Sequence, residues 1–137
     1  MGLNDFLGPD AVVADLLATN RWEAIDELIS HLVSSGKIPG QDRESIAASV
    51  KKRESSMTTA IGFGMAIPHA SSVLVTDVVA AIGRSRTGIQ FDALDGHPVK
   101  LVLLFVAPQG QFQQHLPILS NIAKLLHRSD FREGLGL

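Results

Sequence analysis

Cysteine is absent from the 137 residues. That excludes a disulfide framework, a thiol nucleophile and a cysteine-ligated zinc site. Tyrosine is absent as well, so chemistry falls to His, Ser, Thr, Lys and the carboxylates. Charge is sparse: 19% of residues are charged and the formal net charge is −2, which gives no electrostatic reason to expect nucleic acid or an anionic membrane surface as a partner. The longest strongly apolar run, Leu101 to Ala107, falls far short of the ~20 residues that span a bilayer, so no membrane insertion is expected. The opening Met1-Gly2-Leu3-Asn4-Asp5 lacks the basic and apolar regions of a signal peptide, and a cytoplasmic location is expected. What is present is ordinary for a folded soluble protein: 45% hydrophobic residues in one domain, 1–137, long enough to bury a core without staples.

Strands and helices alternate along the chain. Ala11 to Leu17 reads as a first strand, with a short helix as the alternative. Asn20 is placed to cap a helix with Glu23 as its capping-box partner. Ile25, Leu28, Ile29, Leu32 and Val33 form one apolar face, and Gly36 ends the run. Asp42 can cap a second helix with apolar positions Ile46, Ala47 and Val50; Lys51, Lys52 and Arg53 suit the negative end of its dipole. Thr58 to Gly64 reads as a flexible bend into a short strand, Met65 to Ile67. A buried strand is expected over Val78 to Ile82, broken by Gly83, and turns at Gly88 to Phe91 and at Asp95-Gly96. Lys100 to Ala107 shows no alternation, which predicts a central strand covered on both faces. A polar loop from Pro108 to Gln114 precedes a helix from about Pro117 to Leu126, and Asp130 to Leu135 starts another. The pattern describes one α/β/α domain.

Five histidines are available. His31 and His127 fall within or at the end of helices, and His97 lies in a turn after Asp95-Gly96; all three read as solvated. His69 and His115 stand where loops meet regular elements, positions that host sites disproportionately. His69 ends the run Ala60-Ile61-Gly62-Phe63-Gly64-Met65-Ala66-Ile67-Pro68, behind a glycine-rich bend. His115 precedes Leu116-Pro117, and Pro117 fits a first helical position, so His115 adjoins unpaired N–H groups and the positive end of a dipole that favours phosphate. A neutral imidazole is a competent nucleophile towards phosphorus. A second imidazole, an arginine and backbone N–H groups could steady the phosphoryl oxygens.

These residues also carry a resemblance. Arg53-Glu54, Thr59-x-Ile61-Gly62-x-Gly64-x-Ala66-Ile67-Pro68-His69, His115-Leu116, and Phe91 to Gly96 followed by Val99 resemble the enzyme IIA domains of the bacterial phosphoenolpyruvate-dependent phosphotransferase system, in the fructose/mannitol/nitrogen-regulatory class. The resemblance covers nearly the whole chain. It implies a three-layer α/β/α sandwich around a mixed β-sheet. It implies that His69 accepts phosphate from an HPr-type phosphocarrier, that His115 is the second active-site histidine and that Arg53 is the site arginine. It further implies onward transfer to a IIB domain, or a regulatory target for the phosphorylated state. No metal or organic cofactor is needed for that chemistry, and a homodimer is left open. Members of the class usually continue beyond Gly134-Leu135-Gly136-Leu137, so the domain is expected to be short at its C-terminus.

Blander readings stand beside these. Gly62 and Gly64 can serve as bend residues, Ser71 and Ser72 as turn formers, and Gln109, Gln111, Gln113 and Gln114 as a solvated loop. A regulatory binding protein that passes no phosphate onward is one alternative. A metal hydrolase using His69, His97 and His115 is another, though none falls in a short ligand motif such as His-x-x-x-His.

Overall fold

The computed structural model describes residues 11–56, 60–62, 64–91 and 98–110. Its elements are β1 (Val12–Val13), α1 (Arg21–Ser34), a 3-10 turn (Gly40–Asp42), α2 (Arg43–Ser56), β2 (Ala60–Gly62), β3 (Met65–Ala66), β4 (His69–Ser72), β5 (Val79–Ile89) and β6 (Val99–Pro108).

Local signals explain both ends of α1. The Asn20 side chain accepts the Glu23 N–H at 2.9 Å. The returning Glu23 carboxylate reaches one residue further than a capping box requires and takes the Thr19 N–H and hydroxyl, each at 3.0 Å. At the far end Gly36 adopts φ 80°. Its N–H bonds Val33 O while the Lys37 N–H bonds Leu32 O, the paired bonds of a Schellman motif. Between these caps Ile25, Leu28, Ile29 and Leu32 are wholly buried, each worth ~1.5–3 kcal/mol of transfer free energy.

The sheet has the order β1-β5-β6-β3-β2, with β4 also paired to β6. β5 runs antiparallel to β6, and β1 runs parallel to β5. β3 and β4 both run parallel to β6, and they share one register, Met65 opposite Leu101 and His69 opposite Phe105. They are thus two pieces of a single extended run, interrupted where Pro68 cannot donate a ladder bond. Helix α1 packs on β5 and β6, and α2 on β4. Val102, Leu104 and Val106 of β6 join the helices in one core cluster, while Leu101, Leu103, Phe105 and Ala107 join Met65, Ala80 and Ile82 in a second. Both faces of β6 are buried, as its unalternating sequence requires.

The structure corrects four expectations. The first strand is only Val12–Val13: the chain then turns, Asp15 pairs with Arg84 and Arg86, and Leu16 and Ala18 enter the core as irregular backbone. The bend from Thr58 to Gly64 contains the strand β2, which pairs antiparallel with β3. Gly83 does not break β5 but sits within it, because a Cβ there would fall 2.7 Å from Leu16 Cγ and Cδ2; the glycine marks a close approach, not a turn. Gly88 and Ile89 extend the same strand, with a register shift between Arg84 and Ile89 and φ +95° at Gly88. The expected helices after Pro117 and Asp130, and the turn at Asp95-Gly96, lie outside the described residues.

Candidate functional site

Three backbone features place His69. Gly64, at φ +79°, turns the chain from β2 into β3, and its carbonyl accepts the N–H groups of Lys100 and Leu101. Pro68 then interrupts the ladder, and its carbonyl accepts the Phe105 N–H at 3.2 Å. His69 follows as the first residue of β4, directly opposite Phe105. Cross-strand neighbours project to the same face, and the two rings stack with centroids 5.2 Å apart and planes at 18°.

The second restraint on the imidazole is its own backbone. His69 Nδ1 lies 2.7 Å from the Ile67 carbonyl oxygen. A carbonyl only accepts, so Nδ1 carries the proton, and in the neutral ring Nε2 holds the free lone pair. Burial holds the ring's pKa below the usual imidazole value; the bond to Ile67 opposes this, the Arg53 charge adds to it and the Glu54 charge opposes it. The result is a half-buried, neutral imidazole with a fixed tautomer.

Arg53 and Glu54 come from the last turn of α2. Arg53 is exposed, and Glu54 is buried. Glu54 continues the face of Ile46, Ala47 and Val50, four residues beyond Val50, and its fully covered carboxylate meets the Arg21 guanidinium at 3.6 Å. Arg21, at the start of α1, also lies 4.4 Å from the centroid of the Trp22 ring. The ends of two helices are therefore joined beside the strand that carries His69.

Of the residues singled out from sequence, His69 and Arg53 are within electrostatic reach of each other. His97, His115 and His127 lie outside the described residues, as do Gln111, Gln113 and Gln114. Gly64 has the left-handed backbone of a bend residue. Ser72 behaves as a turn former, its hydroxyl accepting the Leu74 N–H at 3.1 Å. His31 lies in the last turn of α1. Among the described residues no group of three or more His, Asp or Glu side chains could hold a metal ion, and no helix is long and apolar enough to cross a membrane. Sequence reasoning missed Phe105, which needs strand register to be seen, and the Ile67 carbonyl, whose bond to the ring needs the local backbone geometry. It also passed over Glu54 as more than motif, although a charge at the next helical position of an apolar face was a legible signal.

The described residues thus form a mixed β-sheet with α1 and α2 packed on it and one backbone-tied histidine at a strand start, a frame shared with solved phosphotransferase IIA structures. The crystal structure of the nitrogen regulatory protein IIA-Ntr from Neisseria meningitidis matches with a TM-score of 0.83 and 26% identity, over 97% of this chain and 89% of that one. Residues 5–136 match the family described as "Phosphoenolpyruvate-dependent sugar phosphotransferase system, EIIA 2", and the chain belongs to that family. It is 32% identical over 135 residues to a nitrogen regulatory protein of Bradyrhizobium diazoefficiens, covering 98% of this chain and 86% of that protein. It is 33% identical over 135 residues to the PTS system fructose-specific EIIABC component of Bacillus subtilis. That match covers 98% of this chain but only 21% of the longer protein.

Proposed function

We propose that this phosphotransferase system component is a phosphohistidine carrier that accepts phosphate on His69 from an HPr-type phosphocarrier. The observation that carries the reading is the 2.7 Å bond from Nδ1 to the Ile67 carbonyl, which leaves Nε2 as the nucleophilic nitrogen. As Nε2 attacks, the bond from phosphorus to the donor nitrogen breaks and the donor recovers its lone pair. The ring of His69 keeps its Nδ1 proton and takes up positive charge, so no proton moves. The remaining demand is alignment and charge stabilisation. Phe105 and Ile67 supply alignment of the ring. Arg53 is assigned to the phosphoryl oxygens, supported by its charge acting on His69, and the family resemblance assigns His115 the same task.

The phosphate then passes to a IIB domain or acts as a regulatory signal. The first route is supported by the likeness to a fructose-specific EIIABC component, the second by the likeness to nitrogen regulatory proteins. The test is phosphate acceptance from phosphoenolpyruvate through enzyme I and an HPr-type protein, followed by intact mass for wild type and His69→Ala. An acid-labile gain in wild type alone is expected; a gain in His69→Ala would move the acceptor elsewhere. Adding a IIB domain separates the two routes, since loss of the label to IIB marks transport and retention marks regulation.

A further inference from the structure

Glu54 is a carboxylate with no solvent exposure in its side chain, on the helix that packs against the strand of the nucleophile. Burying a carboxylate is costly unless it is paired, and its partner comes from another helix, Arg21 of α1. Its chain neighbour is Arg53. An apolar residue would complete the face of Ile46, Ala47 and Val50 without that cost, so stability alone gives no reason for a charge there.

Resting on the carrier reading above, we propose that Glu54 is a positioning residue for phosphoryl transfer. Clamped by Arg21, it holds the last turn of α2, and with it Arg53, within reach of His69, and it provides the negative charge that the phosphorylated ring requires. The transfer step explains the second role. Once Nε2 bonds phosphorus while Nδ1 keeps its proton, the imidazole is cationic. Arg53 beside it suits the phosphoryl oxygens but repels the ring; the carboxylate one residue on offsets that repulsion. The opposed actions of Arg53 and Glu54 on the unphosphorylated ring agree with this division. Arg53 and Glu54, both from α2, act on His69 by their charge, whereas Phe105 of β6 and the Ile67 carbonyl, which also meet the ring, carry no net charge.

The experiment compares the full chain as wild type, Glu54→Gln and Arg21→Gln. Phosphoenolpyruvate, enzyme I and an HPr-type protein supply phosphate. Three readouts are taken: initial acceptance rate, the equilibrium partition of phosphate between donor and acceptor, and the titration of the His69 ring by NMR without phosphate. Glu54→Gln keeps the side-chain volume and removes the charge. It is expected to shift the partition about tenfold towards the donor, the scale of one buried charge acting on a half-buried neighbour, to slow acceptance and to lower the ring's pKa further. Arg21→Gln is expected to slow acceptance in the same direction. A folded Glu54→Gln variant with wild-type rate, partition and ring titration overturns the proposal. Should Glu54→Gln lose its cooperative unfolding transition, Arg21→Gln decides, and wild-type behaviour there overturns it equally. If wild type takes no phosphate while His69 stays accessible, the carrier reading fails by itself. The ring titration then decides for Glu54: a fall in Glu54→Gln upholds its coupling to His69, and no change overturns it.

Discussion

Replacing Phe105 by leucine separates the two restraints on the nucleophile. Phe105 is fully buried in the middle of β6 and stacks on His69 at 5.2 Å. A swap between apolar residues of similar volume costs less than ~1.5 kcal/mol when the core can adjust. Losing the ring pair costs ~0.5–1.5 kcal/mol more. Phe105→Leu should therefore lose about 0.5–3 kcal/mol in urea unfolding, with an unchanged m-value. The bond from Nδ1 to Ile67 does not involve Phe105, so the tautomer should persist, visible as an unchanged protonated Nδ1 in nitrogen NMR. The ring then rotates more freely about its remaining tether. If the stacking energy is spent on holding the reactive orientation, acceptance should slow by up to about tenfold, since ~1.4 kcal/mol is one decade in rate. The assay is the initial rate of mass gain at limiting phosphodonor. A variant that is destabilised yet accepts at the wild-type rate would show that the stack supports the core and leaves the nucleophile's orientation to Ile67 alone. A loss of the Nδ1 proton signal would refute the independence of the two restraints.

Other outcomes are as definite. Gly83→Ala puts a Cβ 2.7–2.8 Å from three Leu16 side-chain carbons and should cost ~1–3 kcal/mol by overpacking; adding Leu16→Ala should cost less than the sum, and strict additivity in a urea double-mutant cycle would refute the clash. His69 has a folded pKa below its ordinary 6.5, so between those values the unfolded chain binds a proton that the folded chain does not. Its contribution to stability is complete above pH ~6.5 and declines as pH falls through that value towards the folded pKa. The urea midpoint of wild type should therefore fall more steeply from pH 7 to 5 than that of His69→Ala, and parallel curves would contradict the lowered value. His115→Ala should fold normally and transfer phosphate more slowly; wild-type rates would remove His115 from the mechanism.

What the sequence disclosed depended on how local the cause was. Both ends of α1 were legible because a cap is written within a few residues: Asn20 and Glu23 at one end, Gly36 at the other. β6 was legible because burial on both faces erases alternation. β5 was misread because a glycine inside a strand is indistinguishable from a breaker until its neighbour is known, and Leu16 is distant in the chain. The site divided in the same way. Pro68 and the glycines before it drew attention to His69, but the atom left to react follows from the approach of Nδ1 to Ile67, and the stack from a strand register that no local pattern reveals.

The tie between the imidazole and a carbonyl two residues earlier also separates reactivity from affinity for phosphate. On the proposed carrier reading, which atom reacts is written into a tripeptide, Ile67-Pro68-His69, and does not depend on which protein is docked. On that reading the same nitrogen is presented to the molecule that would deliver phosphate and to the one that would remove it. How tightly the phosphate is retained is left to the charges around the ring, which can change without disturbing that tripeptide. One backbone can thereby serve chains that discharge readily and chains that stay loaded, differing only in the residues that surround an unaltered reactive atom.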